Sequence, residues 1–123
     1  MLKVGSFVKV TDNSGAIEAQ IIGILGGHKR NGVRPGRKVR VTIKKARADG
    51  AVKEHEVHYA LVVRVKKEYR RPDGTYIRFD DNAVVILDGD SDQPKATRIF
   101  GPIAREVKLY GYDKITQLAA EVL

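Results

Sequence analysis

Val39, Val41 and Ile43 alternate with Arg40, Thr42 and Lys44, a period of two that puts aliphatic side chains on one face of a strand and mostly cations on the other. The run from Val57 to Lys66 repeats this pattern with a difference. Val57, Tyr59, Leu61, Val63 and Val65 share one face, while His58, Ala60 and Val62 precede Arg64 and Lys66 on the other. Its middle is apolar on both sides, which predicts a central strand that turns cationic and projects outward at its end. Further strands are predicted over 7–10, 19–25, 76–79 and 83–87, each bounded by Gly, Asp or Asn. About six short strands in fewer than about ninety residues predict a mainly β fold, a small closed barrel.

Between the central strand and Tyr76, the sequence Arg71-Pro72-Asp73-Gly74 suits a β-turn with Pro presetting φ at the second position and Gly at the fourth. The arms of this hairpin carry Arg64, Lys66, Lys67, Arg70, Arg71 and Arg78 but few aliphatics. The expectation is a tip that does not pack on its own core and takes its order from a partner. Past Asp88 the character changes. Asp88-Gly89-Asp90-Ser91-Asp92 reads as an acidic loop, and Gly101-Pro102 as the start of a short helix with Pro at its first position. Asp113 suits the cap of a second helix, whose Ile115, Leu118, Ala119 and Val122 form one apolar stripe. With no repeat and no long linker, the chain reads as one domain over residues 1–123, with a barrel, loop and hairpin in 1–87 and an acidic loop and helical annex in 88–123.

Charge sharpens the picture. The chain of 123 residues has a formal net charge of +8, and between residues 28 and 78 there are 16 basic against 5 acidic side chains. The remainder is slightly acidic, so the cations are concentrated in the middle of the chain and point to a polyanion, nucleic acid before anionic membrane or an acidic protein. No basic amphipathic helix supports the membrane option, and no apolar run approaches the length of a membrane span. The chain has no cysteine, which removes disulfides and thiolate metal sites.

The chemistry-bearing candidates weaken on inspection. Gly26-Gly27-His28-Lys29-Arg30-Asn31-Gly32 looks like a phosphate loop, but Val33 stands where a nucleotide P-loop needs Lys followed by Ser or Thr, and a strand rather than a helix follows. Glycines and cations there still suit close approach to phosphates, as they suit an ordinary mobile loop. His55 and His58, three apart on a strand, face opposite sides and make a poor metal pair. Asp88, Asp90 and Asp92 resemble a calcium loop only in spacing, because Gly89 is misplaced and Pro94-Lys95 interrupts the pattern. Asp80 and Asp81 are adjacent and diverge, which disfavours paired acid/base work. The expectation is no enzyme, no cofactor, no metal and no small-molecule substrate.

Motifs spaced along the whole chain resemble one family, the universal large-subunit ribosomal protein number fourteen. Asp12-Asn13-Ser14-Gly15-Ala16 is similar to its opening element. Its signature is met from Ala60 to Ile86: Ala60-Leu61-Val62-Val63, nine residues, Asp73-Gly74, four residues, Phe79, then Asn82, Val85 and Ile86. Gln93-Pro94, Thr97-Arg98-Ile99 and Gly101-Pro102 resemble the next block, and Lys114-Ile115 with Leu118-Ala119 the terminal helix. The chain departs at Ile17-Glu18, where many bacterial members carry a basic pair, and at Ala120, where proline is frequent.

The resemblance implies a five-stranded barrel with a protruding basic hairpin and a two-helix C-terminal annex. It implies a structural constituent of the large ribosomal subunit that binds large-subunit rRNA, touches small-subunit rRNA at a bridge and neighbours other large-subunit proteins. Expected rRNA contacts are Lys29, Arg30, Arg34, Arg37, Lys44, Lys45, Arg47, Arg64, Lys66, Lys67, Arg70, Arg71 and Arg78. In bacterial and organellar members, the surface matching Thr97, Arg98 and Lys114 receives a ribosome-silencing factor that blocks subunit joining. The run Gly111-Tyr112-Asp113-Lys114-Ile115 resembles fungal-type mitochondrial members, which favours the mitochondrial matrix, with bacterial cytoplasm as the alternative.

Overall fold

The computed structural model describes residues 2–25 and 32–123. Five strands close a barrel: β1 (Phe7–Val10), β2 (Ala16–Ile24), β3 (Lys38–Ala46), β4 (Val57–Arg64) and, after the two-stranded hairpin β5 (Tyr69–Arg70) and β6 (Tyr76–Ile77), β7 (Ala83–Ile86). Neighbours pair antiparallel except at the seam, where β1 runs parallel to β7 with Lys9 opposite Ala83 and Val10 opposite Val84. The annex comprises β8 (Pro102–Ile103), α1 (Glu106–Leu109), α2 (Asp113–Leu118) and β9 (Glu121–Val122), with β8 and β9 paired in parallel.

The two-sided apolar pattern of β4 has a physical cause. Ala60 and Val62 point into the barrel with Val39, Val41, Ile43, Val84 and Ile86. Leu61 and Val63 point outward into a second cluster with Val85, Leu87, Ile99, Ile103, Val107 and Ile115. β4 and β7 are therefore sandwiched between the barrel interior and the annex. Ile115 is fully buried, and burying a side chain of that size stabilises the docking of α2 by roughly 1.5–3 kcal/mol.

Three expectations for the annex are corrected. Pro102 does not open a helix; it lies in β8, and the chain becomes helical only at Glu106. Gly101 has a φ of +80°, and a Cβ there would lie 2.7 Å from Arg64 Nη1, so this corner needs a residue without a side chain. The apolar stripe predicted to run through Val122 belongs to a shorter helix. α2 ends at Leu118, Ala119 is extended, and Tyr112 rather than Asp113 occupies the cap position. A helix of ten residues is marginal on its own, so pairing of β9 with β8 prevails over helical continuation.

The Asp12-to-Ala16 element is a structural joint. Asp12 Oδ1 accepts from the backbone N–H and hydroxyl of Ser14 at 3.1 and 2.6 Å, and Oδ2 accepts from the N–H of Ile86 at 2.8 Å. Burial raises the pKa of this carboxyl above the ordinary value, against the opposing pull of those hydrogen bonds. Next to it, Gly15 with φ +105° lies so close to Gly50 that a Cβ would fall 2.5 Å from the Gly50 Cα. Two glycines let the two backbone segments cross here.

Candidate RNA-binding surface

The hairpin continues the outer ends of β4 and β7. Phe79 donates its N–H to Val65 O at 3.0 Å, and Lys66 N–H reaches Asn82 Oδ1 at 2.8 Å. At the tip, Gly74 N–H reaches Arg71 O at 2.9 Å and Arg71 N–H reaches Thr75 O at 2.8 Å, closing the predicted turn. The tip is not left to a partner, however. Tyr69 is buried in the barrel's apolar cluster, its hydroxyl donates to Glu106 Oε1 at 2.8 Å, and burial first and Glu106 second push its pKa upward. Arg105 donates to Asp73 at 3.0 Å across an exposed gap. The hairpin is thereby tied to α1 and to the residue before it.

Two residues expected to contact RNA, Arg64 and Arg71, turn their donors to partners inside the protein. Arg64 is 5% exposed and all five of its N–H donors are engaged: Nε and Nη2 on Asp81, Nη1 on the carbonyls of Phe100 and Pro102, and Nη2 also on Thr11 Oγ1. Arg71 is 7% exposed and donates to both oxygens of Glu106 and to Leu123 O. Burial works against its charge, but Glu106 outweighs that and holds the guanidinium above its ordinary pKa. Both arginines neutralise internal carboxylates and turn inward, away from solvent.

The remaining cations fall into two groups. Arg34 lies with its guanidinium 5.7 Å from the Tyr69 ring centre, which brings the loop before β3 beside the hairpin. Lys66, Arg70 and Arg78 on that hairpin are exposed and have no ion pair among the described residues; Lys67 pairs with its neighbour Glu68 at 3.2 Å. Arg37, half-buried, donates to Leu25 O at 3.4 Å. Lys44, Lys45 and Arg47 form the second group at the far end of β3, roughly 23 Å away for the seven steps from Arg37 to Lys44 at about 3.3 Å each. Lys29 and Arg30 lie outside the described residues.

Lys38 shows where the basic and acidic parts of the chain meet. Its ammonium lies 3.2 Å from Asp92 and 3.7 Å from Asp90, so the acidic loop is a partner for this lysine. Burial disfavours the charge of Lys38, but the hydrogen bond and charge of Asp92 prevail and raise its pKa. Among the described residues, no group of three or more His, Asp or Glu side chains is arranged to hold a metal. His58 pairs instead with Glu56 at 3.1 Å.

Thr97 and Arg98 are exposed but firmly set. Asn13 Oδ1 accepts both of their backbone N–H groups at 3.0 Å, and Asn13 Nδ2 donates to Thr97 Oγ1 at 3.0 Å. Ile99 and Ile115 enter one apolar cluster, leaving their neighbours Arg98 and Lys114 in solvent.

A closed barrel, exposed cations at both ends of one strand and a basic hairpin suit a protein that lies against a phosphate backbone. The family model for ribosomal protein L14p/L23e matches residues 1–123, the whole chain. The chain belongs to the ribosomal protein L14p/L23e family. It is therefore a structural protein of the large ribosomal subunit, a class that binds rRNA and sits among other ribosomal proteins. Within this L14p/L23e protein, two outward groups lie outside the set of residues expected to contact rRNA. Arg40 projects from β3 over Tyr59, 5.0 Å from the ring centre and bonded to its hydroxyl at 3.0 Å. Phe100 is an exposed aromatic in the turn that follows Ile99. The strand alternation already placed Arg40 among the outward cations; an aromatic held outward by tertiary backbone contacts leaves no such signal.

Proposed function

We propose that this L14p/L23e protein acts by electrostatic positioning and performs no chemistry: Arg34, Arg37, Lys66, Lys67, Arg70 and Arg78 meet large-subunit rRNA on the hairpin side, and Lys44, Lys45 and Arg47 meet it at the far end of β3. Lys29 and Arg30 are assigned to rRNA as well, on the sequence alone. The observation that carries the reading is the division of labour among the arginines. Arg64 and Arg71 satisfy internal carboxylates, whereas Arg34, Arg70 and Arg78 face solvent without an ion pair among the described residues. Cations so placed neutralise phosphates and release counterions, while A-form RNA offers them backbone and shape more than base edges.

The same reading gives the chain a place at the subunit interface, with contact to small-subunit rRNA, and gives Thr97, Arg98 and Lys114 to a silencing factor. Asn13 supports the latter, because it presets the backbone of Thr97 and Arg98 without their side chains taking part in the core. A mitochondrial ribosome is the proposed home on the resemblance of residues 111–115, with a bacterial ribosome as the alternative. Sedimentation of tagged protein through a sucrose gradient, with sequencing of the associated RNA, tests these points together. Stable migration with one large-subunit rRNA is expected, and the identity of that rRNA decides the compartment. Recovery at the top of the gradient with mixed RNAs overturns the assignment in favour of a free single-strand binder.

A further inference from the structure

A cleft of about 440 Å³ opens between the barrel seam, the base of the hairpin and the turn before β8, with Lys9, Arg64, Arg78, Asp80, Asp81 and Phe100 in its lining. The cleft is open to solvent. Arg64 lies buried against it, with every donor committed to Asp81, Thr11 and the carbonyls of Phe100 and Pro102. That network fixes the turn, and it leaves no guanidinium N–H for a ligand. Recognition falls to the side chains around it.

Those side chains combine three chemistries. Phe100 is 52% exposed and offers an aromatic ring. Lys9 and Arg78 are exposed cations; Lys9 has only a long contact of 3.9 Å to Asp81, and Arg78 has no ion pair among the described residues. Asp80 is exposed, with no hydrogen bond or ion pair among the described residues, and can accept from an amino group or a ribose hydroxyl. An aromatic ring beside cations and a free acceptor matches a nucleotide lifted out of its stack: base on the ring, phosphate on the cations, sugar or base edge on the carboxylate. A peptide partner would use the ring but leave the two cations without a phosphate.

We propose that this cleft receives a single unpaired nucleotide of the bound rRNA, stacked on Phe100, with its phosphate between Lys9 and Arg78. The proposal rests on the rRNA-binding reading and adds a discrete pocket to it. Phe100 is well suited to test it, because its fold-holding contacts are made by its backbone: its N–H donates to Thr11 O at 2.7 Å, and its carbonyl accepts from Arg64 and Thr11. Phe100→Ala therefore removes the ring and spares the network.

The experiment is ultraviolet crosslinking of assembled large subunits carrying wild-type, Phe100→Ala or Phe100→Tyr protein, with crosslinked peptides and nucleotides located by mass spectrometry. The expected result is one dominant nucleotide on the peptides containing Phe100 or Arg78. Its yield should fall about five-fold or more in Phe100→Ala and persist in Phe100→Tyr, while all three proteins co-sediment equally with the subunit. Crosslinks confined to the cations of residues 34–47, or a neighbouring protein's peptide crosslinked at Phe100, would overturn the pocket while leaving rRNA binding intact. Failure of the wild-type protein to co-sediment would remove the rRNA reading and the pocket with it.

Discussion

Arg71 and Glu106 form a two-point ion pair, with Nε to Oε2 at 2.9 Å and Nη2 to Oε1 at 3.1 Å, both side chains largely out of solvent. The pair joins the hairpin to α1 across 35 residues of chain. Removing one partner leaves the other charge buried and uncompensated, so Arg71→Ala or Glu106→Ala should destabilise the fold by about 3 kcal/mol. Urea unfolding measures this. A loss below about 0.5 kcal/mol for both variants would show that the pair does not hold the hairpin.

Arg70 is the natural contrast. It neighbours Arg71 in sequence, yet it is exposed and free of ion pairs among the described residues. Arg70→Ala and Arg78→Ala should leave the urea midpoint within the scatter of surface substitutions, about 0.5 kcal/mol. Each should reduce the slope of log affinity against log salt by about 0.7 to 0.9 if it meets one phosphate. Binding of isolated large-subunit rRNA over a salt series reads the slope. An unchanged slope in both variants would move the RNA contact to other cations, first among them Lys44, Lys45 and Arg47.

What separates Arg70 from Arg71 is also what the sequence left illegible. The alternation of β3 and the two-sided apolar run of β4 are local patterns, and both strands stand where periodicity puts them. Barrel closure depends on a parallel contact between Lys9–Val10 and Ala83–Val84, which no local pattern announces. Cations at a strand end look the same whether their partner is a phosphate or a carboxylate 17 residues away, as Asp81 is from Arg64. Gly101-Pro102 fits a helix start and a β corner equally well until Arg64 is seen packed against the glycine. Likewise, the stripe ending at Val122 has helical spacing, and only the Pro102–Ile103 strand decides that its last turn is extended.

Asn13 connects the sequence element that opens the family resemblance to the surface assigned to docking. Its amide makes three hydrogen bonds to Thr97 and Arg98. Asn13→Ala leaves two backbone N–H groups to water and should cost about 1–2 kcal/mol, concentrated in residues 97–99. Hydrogen exchange should show lost protection there, with the barrel strands unchanged. If the docking assignment holds, Asn13→Ala should also weaken capture of the silencing factor, while Arg98→Glu should abolish it with protection intact. Equal capture by wild type and both variants would remove this surface from the docking role.

The tip of the hairpin should respond to acid. Asp73 accepts from the Thr75 hydroxyl at 2.6 Å and the Thr75 N–H at 3.0 Å, and Arg105 donates to its other oxygen at 3.0 Å. The Thr75 hydroxyl acts first, then the Thr75 N–H and Arg105, and together they hold the carboxyl below its ordinary value of 3.8. A carboxyl whose folded pKa is depressed contributes stability that is fully present above the unfolded value and fades as the pH falls through the folded one. The turn should therefore be intact at neutral pH and loosen only in acid below 3.8. Following the Thr75 amide resonance from neutral to strongly acidic solution should reveal a single step in that range in wild type. Asp73→Asn should remove the step. A step of the same size in the variant would assign the transition to another group and leave the turn without an acid switch.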